Sequence, residues 1–150
     1  MKNNKRIFIQ SCCRDLIIAY AKFLDMAEYD QCADMFEDNA TLDVWSELKG
    51  KSAILAAMSA RPSDLLTRHI MTNILITVID ERQATGVSYL TLYRKIGKLN
   101  RGEEKTPFTG PAAVGQYNDE FVLTKDGWRF SRRKAHFTFM NPDAFPDKAN

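Results

Sequence analysis

Hydrophobic residues recur at helical spacing through the first part of the chain. Positions 13, 16, 17, 20, 23, 24 and 27 are apolar, which predicts one amphipathic helix over residues 10–26. A second, shorter helix follows, and alternating apolar and polar positions predict a short strand over residues 40–44. Ser52 is placed to cap a third helix, and Pro62 follows the end of that helix.

The second half of the chain reads as strands joined by turns. Four segments favour antiparallel strands, over residues 68–79, 85–95, 113–124 and 128–139. Asp126 and Gly127 indicate a tight hairpin turn between the last two strands. Residues 96–111 are expected to form a loop, and the tail is expected to be irregular. Both faces of the first of these strands are largely apolar, so we expect it to be covered on both sides.

Helices followed by a curled antiparallel sheet predict an α+β fold. At 150 residues the chain fits one domain, residues 1–150, with a sizeable core. A sheet that bends around a helix leaves a concave side. One end of that cavity is a natural pocket for a small molecule.

Composition and charge argue against several kinds of partner and site. The net charge of +2 gives no electrostatic reason to expect nucleic acid or an anionic membrane as partner, and no apolar run has the length of a membrane span. Cys12, Cys13 and Cys32 show no paired spacing, so we expect neither a disulfide framework nor a metal site, and we expect a cytoplasmic location. The basic residues of segment 129–134 alternate between strand faces, which indicates a solvated face with one arginine turned inward. No phosphate-binding glycine loop or dinucleotide motif occurs, which favours chemistry without a cofactor.

His69 and Asp25 are the residues best suited to acid–base chemistry. His69 opens a strand, and its imidazole can take up or release a proton near pH 7. Asp25 lies in an apolar stretch near the end of the first predicted helix, where a buried carboxylate needs a donor or a positive partner. If the fold joins them, the carboxylate orients the imidazole and stabilises its protonated form. A satisfied strand histidine and a solvated helix aspartate are the alternative interpretations.

Tyr20, Asn118 and Arg94 are candidates for contacts with a substrate oxygen. Tyr20 precedes Asp25 on the same predicted helix, and a tyrosine hydroxyl can polarise a carbonyl or protonate a leaving hydroxyl. Asn118 can hold a substrate oxygen if it faces inward, and Arg94 can clamp an anion if it lies in the pocket. A core tyrosine, an outward polar residue and an exposed strand end are the respective alternatives. His136 has no visible acidic partner and is interpreted as structural.

Several segments resemble SnoaL-like proteins of the nuclear transport factor 2-like superfamily. The likeness covers nearly the whole chain and preserves the order and spacing of the motifs. It is carried by residues 20–25, 29–30 and 36–40 for the opening, 68–73 for the third strand, and 115–119 with 126–130 for the last hairpin.

The resemblance implies a cone-shaped barrel, in which N-terminal helices pack in a strongly curved, mixed, mainly antiparallel sheet around an active cavity. Scytalone dehydratase, bile acid 7α-dehydratase and hexachlorocyclohexane dehydrochlorinase are similar, and they use an Asp–His pair for elimination. Asp25 and His69 match that pair. Tyr20 matches a catalytic tyrosine of the bile acid enzyme, and Asn118 matches a substrate-contacting asparagine of scytalone dehydratase.

The chain departs from the pattern of scytalone dehydratase inside the expected pocket. Leu24 stands where that enzyme has a tyrosine, Arg94 where it has a second active-site histidine, and Val44 where it has a second pocket tyrosine. Scytalone is therefore not the expected substrate. The remaining predicted lining is apolar and comprises Met58, Leu65, Leu66 and Met71.

These features predict a cofactor-free lyase or isomerase acting on a small, hydrophobic, cyclic or polycyclic oxygenated compound. His69 would remove a proton from carbon, and Asp25 would stabilise its charged form. Tyr20, with Asn118 or Arg94, would stabilise negative charge or protonate the leaving oxygen. Two other functions stay open: a non-catalytic subunit resembling the small β subunit of ring-hydroxylating dioxygenases, and a small-molecule binding protein. Relatives are commonly dimers or trimers, so we expect a small homo-oligomer.

Overall fold

Helices come first along the chain and long strands follow, in a computed structural model that describes residues 1–97 and 105–148. The first half contains α1 (Asn3–Asp25), α2 (Tyr29–Ala33), β1 (Phe36–Asp43), β2 (Glu47–Lys49) and α3 (Lys51–Ser59). The second half contains β3 (Leu65–Val78), β4 (Gln83–Ile96), β5 (Ala113–Thr124) and β6 (Gly127–Met140). Two 3-10 turns follow, at Pro142–Ala144 and Pro146–Lys148.

The strands form one mixed sheet in the order β2-β1-β6-β5-β4-β3. β1 and β6 are parallel, and the other neighbouring strands are antiparallel. The predicted α+β class, with N-terminal helices and a mainly antiparallel sheet, is confirmed. The sheet is not closed into a barrel, because β2 and β3 lie at its opposite ends and do not pair with each other.

The helices begin earlier than their predicted starts. α1 starts at Asn3 instead of at residue 10, and Ile9, which is only 2% exposed, continues the buried stripe of Cys13 and Ile17. The prediction that Ser52 caps α3 is wrong. Gly50, with φ of 86°, occupies the N-cap position and no side chain caps the helix there.

β3 is covered on one face, along which α1 packs. Thr67 and Ile76 are buried, whereas Ile70 and Leu75 are 46% and 67% exposed. The pairing with β4 shifts between Thr72 and Leu75, where Asn73 adopts a left-handed backbone with φ of 50°. This bulge shifts the alternation of β3 by one residue, so odd-numbered positions face the helix before it and even-numbered positions face the helix after it. The expectation that β3 is covered on both sides is therefore wrong for the described residues.

The core between α1 and the sheet is an aromatic cluster that contains one arginine. Phe36 and Phe130 are fully buried, and their ring centroids lie 6.0 and 6.1 Å from that of Tyr20. Arg133 is also fully buried, and is the arginine of segment 129–134 that turns inward. No helix in residues 1–97 and 105–148 is long and apolar enough to cross a membrane. The predicted loop over residues 96–111 lies partly outside the described residues.

Candidate active site

A cavity of about 500 Å³ lies between the helices and the inner face of the sheet. This volume falls within the ordinary range for small-molecule sites, roughly 300–1,000 Å³. The polar residues in its lining include His69, Thr67, Tyr20, Tyr117 and Arg61. Most of the wall is apolar and includes Leu42, Val44, Trp45, Leu48, Ile54, Met58, Leu65, Leu90, Leu92, Phe137 and Phe145.

The structure brings Asp25 and His69 into direct contact at the wall of this cavity. Oδ1 of Asp25 lies 2.6 Å from Nδ1 of His69, and Oδ2 accepts a hydrogen bond from the His69 backbone N–H at 2.9 Å. Each side chain is 7% exposed. Asp25 is the last residue of α1 and His69 lies on β3, so the packing of that helix on that strand creates the contact.

Thr67 and Arg61 complete the hydrogen bonds around Asp25. Thr67 faces the same side of β3 as His69, and its hydroxyl donates to Oδ1 of Asp25 at 2.7 Å. Arg61 donates to the Leu24 carbonyl at 2.9 Å and to the Thr67 hydroxyl at 3.4 Å. The Thr67 oxygen accepts the hydrogen bond from the Arg61 guanidinium, and its hydroxyl proton is donated to the Asp25 carboxylate.

These contacts determine the charge of Asp25 and the tautomer of His69. Burial acts to raise the pKa of Asp25. Hydrogen bonds and charge from His69, together with the Thr67 bond, outweigh burial, and the pKa is lowered below its ordinary value. A carboxylate can only accept hydrogen bonds, so Nδ1 of His69 carries the proton. Nε2 of the neutral ring is then the basic nitrogen, on a side chain that lines the cavity.

Tyr20 lines the same cavity beside a second tyrosine, Tyr117. Their ring centroids lie 6.1 Å apart in an edge-to-face arrangement, and each residue is 2% exposed. Burial, with the nearby Tyr117 and Cys32, raises the pKa of Tyr20 well above its ordinary value, against the opposing charges of Arg133 and Arg61. Tyr20 is therefore a neutral hydrogen-bond donor at neutral pH.

Arg94 lies at the cavity, but its guanidinium is already engaged by the C-terminal tail. It donates to the Ala144 carbonyl and to the Asp147 carboxylate, each at 2.6 Å, and lies 5.0 Å from the ring centroid of Phe145. Phe145 is 4% exposed and packs at 5.2 Å against Trp45, which is 47% exposed. Arg94 thus holds the tail against the cavity, which differs from the predicted anion clamp.

The structure separates the other predicted pocket residues into two groups. Val44, Met58 and Leu65 line the cavity as predicted, whereas Leu66 does not, because neighbouring residues of a strand face opposite sides. Met71 packs against the core without lining the cavity. Asn118 is exposed in a groove on the outer face of the sheet, where its Oδ1 accepts a hydrogen bond from Gln116. The expected contacts of Leu66, Met71 and Asn118 with a ligand in this cavity are therefore wrong.

Several site residues were missed from the sequence. Thr67 carries a usable signal, because a residue two positions before His69 on a strand shares its face. Tyr117 could have been found by placing the aromatic residue inward and its polar neighbour Asn118 outward. Arg61 lies just beyond α3 and offers no local pattern that links it to Asp25. Within the described residues, no group of three His, Cys, Asp or Glu side chains is arranged to hold a metal ion.

The chain resembles known proteins both in its sequence and in its structure. A family model described as a SnoaL-like domain matches residues 8–134. A provisionally assigned scytalone dehydratase from Novosphingobium aromaticivorans DSM 12444 has a TM-score of 0.79 at 20% identity, over 93% of this chain and 91% of that one. A hexachlorocyclohexane dehydrochlorinase, LinA type 2, has a TM-score of 0.76 at 13% identity, over 93% and 92% of the two chains.

A third solved structure resembles the chain to a similar degree. It is a provisionally assigned aromatic ring hydroxylase from N. aromaticivorans, with a TM-score of 0.75 at 21% identity, over 92% of this chain and 96% of that one. No curated protein matches the chain. At such identities the structural likeness shows a shared fold.

Proposed function

Since this chain belongs to the SnoaL-like family, whose model matches residues 8–134, we propose that it is a cofactor-free lyase or isomerase. The observation that carries the proposal is the 2.6 Å contact between Asp25 and Nδ1 of His69 at the wall of a mostly apolar cavity. An imidazole that is oriented by a buried carboxylate can act as a general base, and this chemistry needs no cofactor.

His69 acts at a carbon atom of the substrate. Its Nε2 takes a proton from that carbon, and the C–H electron pair forms a new C=C bond as charge moves to an adjacent carbonyl or a leaving group. Asp25 stabilises the imidazolium that results, because an opposite charge within hydrogen-bond distance favours the charged form. The imidazolium then returns its proton, either to another carbon in an isomerisation or to a departing oxygen in an elimination.

The substrate class follows from the cavity and from similar proteins. A cavity of about 500 Å³ with an apolar wall fits a small cyclic compound with few polar groups. Two proteins of similar fold carry names that denote eliminations, a dehydratase and a dehydrochlorinase. Elimination or isomerisation of a hydrophobic, cyclic, oxygenated molecule is therefore the reaction class we propose.

The proposal is tested by proton exchange at carbon and by elimination, using cyclic ketones and β-hydroxy ketones in D₂O. Nuclear magnetic resonance reports loss of the α-proton, and absorbance reports formation of the enone. His69→Ala should slow wild-type turnover by about 10²–10⁴-fold. His136→Ala is the matched control, because His136 is exposed and does not line the cavity, and it should keep full activity. Full activity in His69→Ala, or tight binding of the panel without any turnover by the wild type, would overturn the proposal.

A further inference from the structure

Thr67 carries a buried hydroxyl on the cavity wall that the proton transfer described above does not use. It is 5% exposed and lies on β3 two residues before His69, on the same face of the strand. Its hydroxyl donates to Oδ1 of Asp25 at 2.7 Å, and the same oxygen lies 2.6 Å from Nδ1 of His69. Thr67 therefore contacts the carboxylate at the atom to which the imidazole is bonded.

Arg61 fixes the direction of this hydroxyl. A threonine hydroxyl has one proton, which can rotate towards any acceptor within reach. Nη2 of Arg61 lies 3.4 Å from the Thr67 oxygen and donates to it, whereas Nη1 donates to the Leu24 carbonyl at 2.9 Å. One guanidinium thus ties the end of α1 to β3. Because it donates to the Thr67 oxygen, the hydroxyl proton is left to point at Asp25.

Among the described residues, the Asp25 carboxylate accepts hydrogen bonds from His69 and Thr67, and these two residues differ in what they can fix. His69 donates its backbone N–H to Oδ2 and its ring N–H to Oδ1. Those bonds join the carboxylate to the residue that it has to orient. A group orients its partner well only when it is itself held by other contacts. The Thr67 bond is the contact of the carboxylate that does not belong to His69.

We infer that Thr67 is a positioning residue, whose hydroxyl holds the Asp25 carboxylate facing Nδ1 of His69. The inference rests on the proposed function. Thr67 exchanges no proton with the substrate, since Nε2 of His69 takes the proton from carbon and Asp25 stabilises the imidazolium. Without the hydroxyl, the carboxylate can turn together with the ring, and Nε2 faces the bound substrate for less of the time. Such a loss of alignment slows turnover without weakening substrate binding.

The first test compares the wild type with Thr67→Val and Thr67→Ser in proton exchange of cyclic ketones in D₂O. Valine replaces the hydroxyl by a methyl group, so kcat should fall by roughly 10–10²-fold, as for a lost hydrogen bond to a charged group, with KM unchanged. Serine keeps the hydroxyl and should restore most of kcat. Thr72→Val is the matched control and should equal the wild type, because Thr72 is exposed on the same strand and does not line the cavity.

The split between kcat and KM decides the role of Thr67. A raised KM with unchanged kcat would mean that Thr67 binds the substrate, and would overturn the inference. An equal loss of kcat in Thr72→Val would overturn it as well. The valine methyl group lies against the Arg61 guanidinium, so Thr67→Ala, which lacks both the hydroxyl and that methyl group, is measured beside Thr67→Val and should show the same loss.

The proton on Nδ1 of His69 gives a second readout, which needs no turnover. Held 2.6 Å from a carboxylate oxygen, this nitrogen should give a low-field proton resonance that is absent from His69→Ala. The resonance should broaden through exchange with water in Thr67→Val and Thr67→Ala, and persist in Thr67→Ser. An unchanged resonance in all three variants overturns the inference. An inactive wild type whose resonance depends on Thr67 would contradict the proposed function alone, whereas an active protein indifferent to Thr67 would contradict this inference alone.

Discussion

Replacing Asp25 by asparagine separates the charge of this side chain from its shape. The His69 backbone N–H donates to Oδ2 at 2.9 Å, so an amide NH₂ placed there would leave a donor unpaired. The NH₂ group is therefore expected at the position of Oδ1, where it faces Nδ1 of His69. In the wild type these two atoms, Oδ1 and Nδ1, lie 2.6 Å apart. Nδ1 must then accept a hydrogen bond, and the ring proton moves to Nε2. The nitrogen that should act as the base is then already protonated.

The loss of charge has a magnitude that follows from the same geometry. Both side chains are only 7% exposed, and charge centres about 4 Å apart interact by about 4 kcal/mol at an effective dielectric constant of about 20. About 4 kcal/mol corresponds to roughly 10³-fold in rate. We therefore expect Asp25→Asn to slow proton removal about 10²–10⁴-fold, in the range for loss of an oriented acid–base group.

The assay is exchange of the α-protons of 2-tetralone in D₂O, followed by nuclear magnetic resonance for wild type and variant at equal concentration. Circular dichroism and the urea midpoint establish that the variant is folded. Asn118→Ala serves as a control, because Asn118 lies on the outer face of the sheet. If folded Asp25→Asn exchanged protons as fast as the wild type, the carboxylate charge would have no role and the reasoning from the tautomer would be refuted.

Three further predictions concern stability and the tail. Because the pKa of Asp25 is lowered in the folded protein, its ionised carboxylate stabilises the fold. This stabilisation is complete above the ordinary carboxyl pKa of about 3.9 and is lost as the pH falls through the lowered pKa of the folded protein. The free energy of unfolding in urea should therefore depend less on pH in this acid range for Asp25→Asn than for the wild type. Arg94→Ala should lower the free energy of unfolding in urea by about 1–3 kcal/mol and speed proteolysis of the tail, because the hydrogen bonds to Ala144 and Asp147 are lost. An unchanged cleavage rate would contradict the conclusion that Arg94 holds the tail in place. Gly115→Ala should cost about 1–3 kcal/mol, because its Cβ would collide with the His136 carbonyl oxygen across the β5–β6 ladder, and a midpoint equal to that of the wild type would argue against this close approach.

The elements with strong local periodicity were predictable from the sequence, and long-range contacts were not. Apolar spacing placed α1 and the four long strands, because those patterns report burial directly. β2 is only Glu47–Lys49 and has exposed ends, so it offers no alternation to detect. Asp25 and His69 are 44 residues apart, and no local pattern says which helix end meets which strand. The resemblance to a family linked these two positions, and the structure brings the side chains together.

The error at Asn118 has a physical cause in the same strand. On β5 the inward positions include Tyr117 and the buried Asp119, whereas Asn118 and Glu120 face outward. Polar residues thus occupy both faces, and hydrophobic alternation cannot distinguish them. Asp119 faces inward beside the inward-facing Arg133. Each of these two charged residues is therefore an exception to the rule that charged positions of a strand face solvent. Sequence reasoning allowed for one inward arginine in segment 129–134, but it had no means to identify which one.

The end of α1 connects the stability of the fold to the chemistry of the site. The C-terminus of a helix carries partial negative charge from its unsatisfied carbonyls, and Asp25 adds a full negative charge at that end. Arg61 satisfies the Leu24 carbonyl at 2.9 Å, and Thr67 and His69 satisfy the carboxylate. The helix end and the carboxylate therefore act in the same direction on the imidazole and favour its positive form after proton uptake. Contacts that secure α1 against β3 are thus the contacts that would make His69 an effective base.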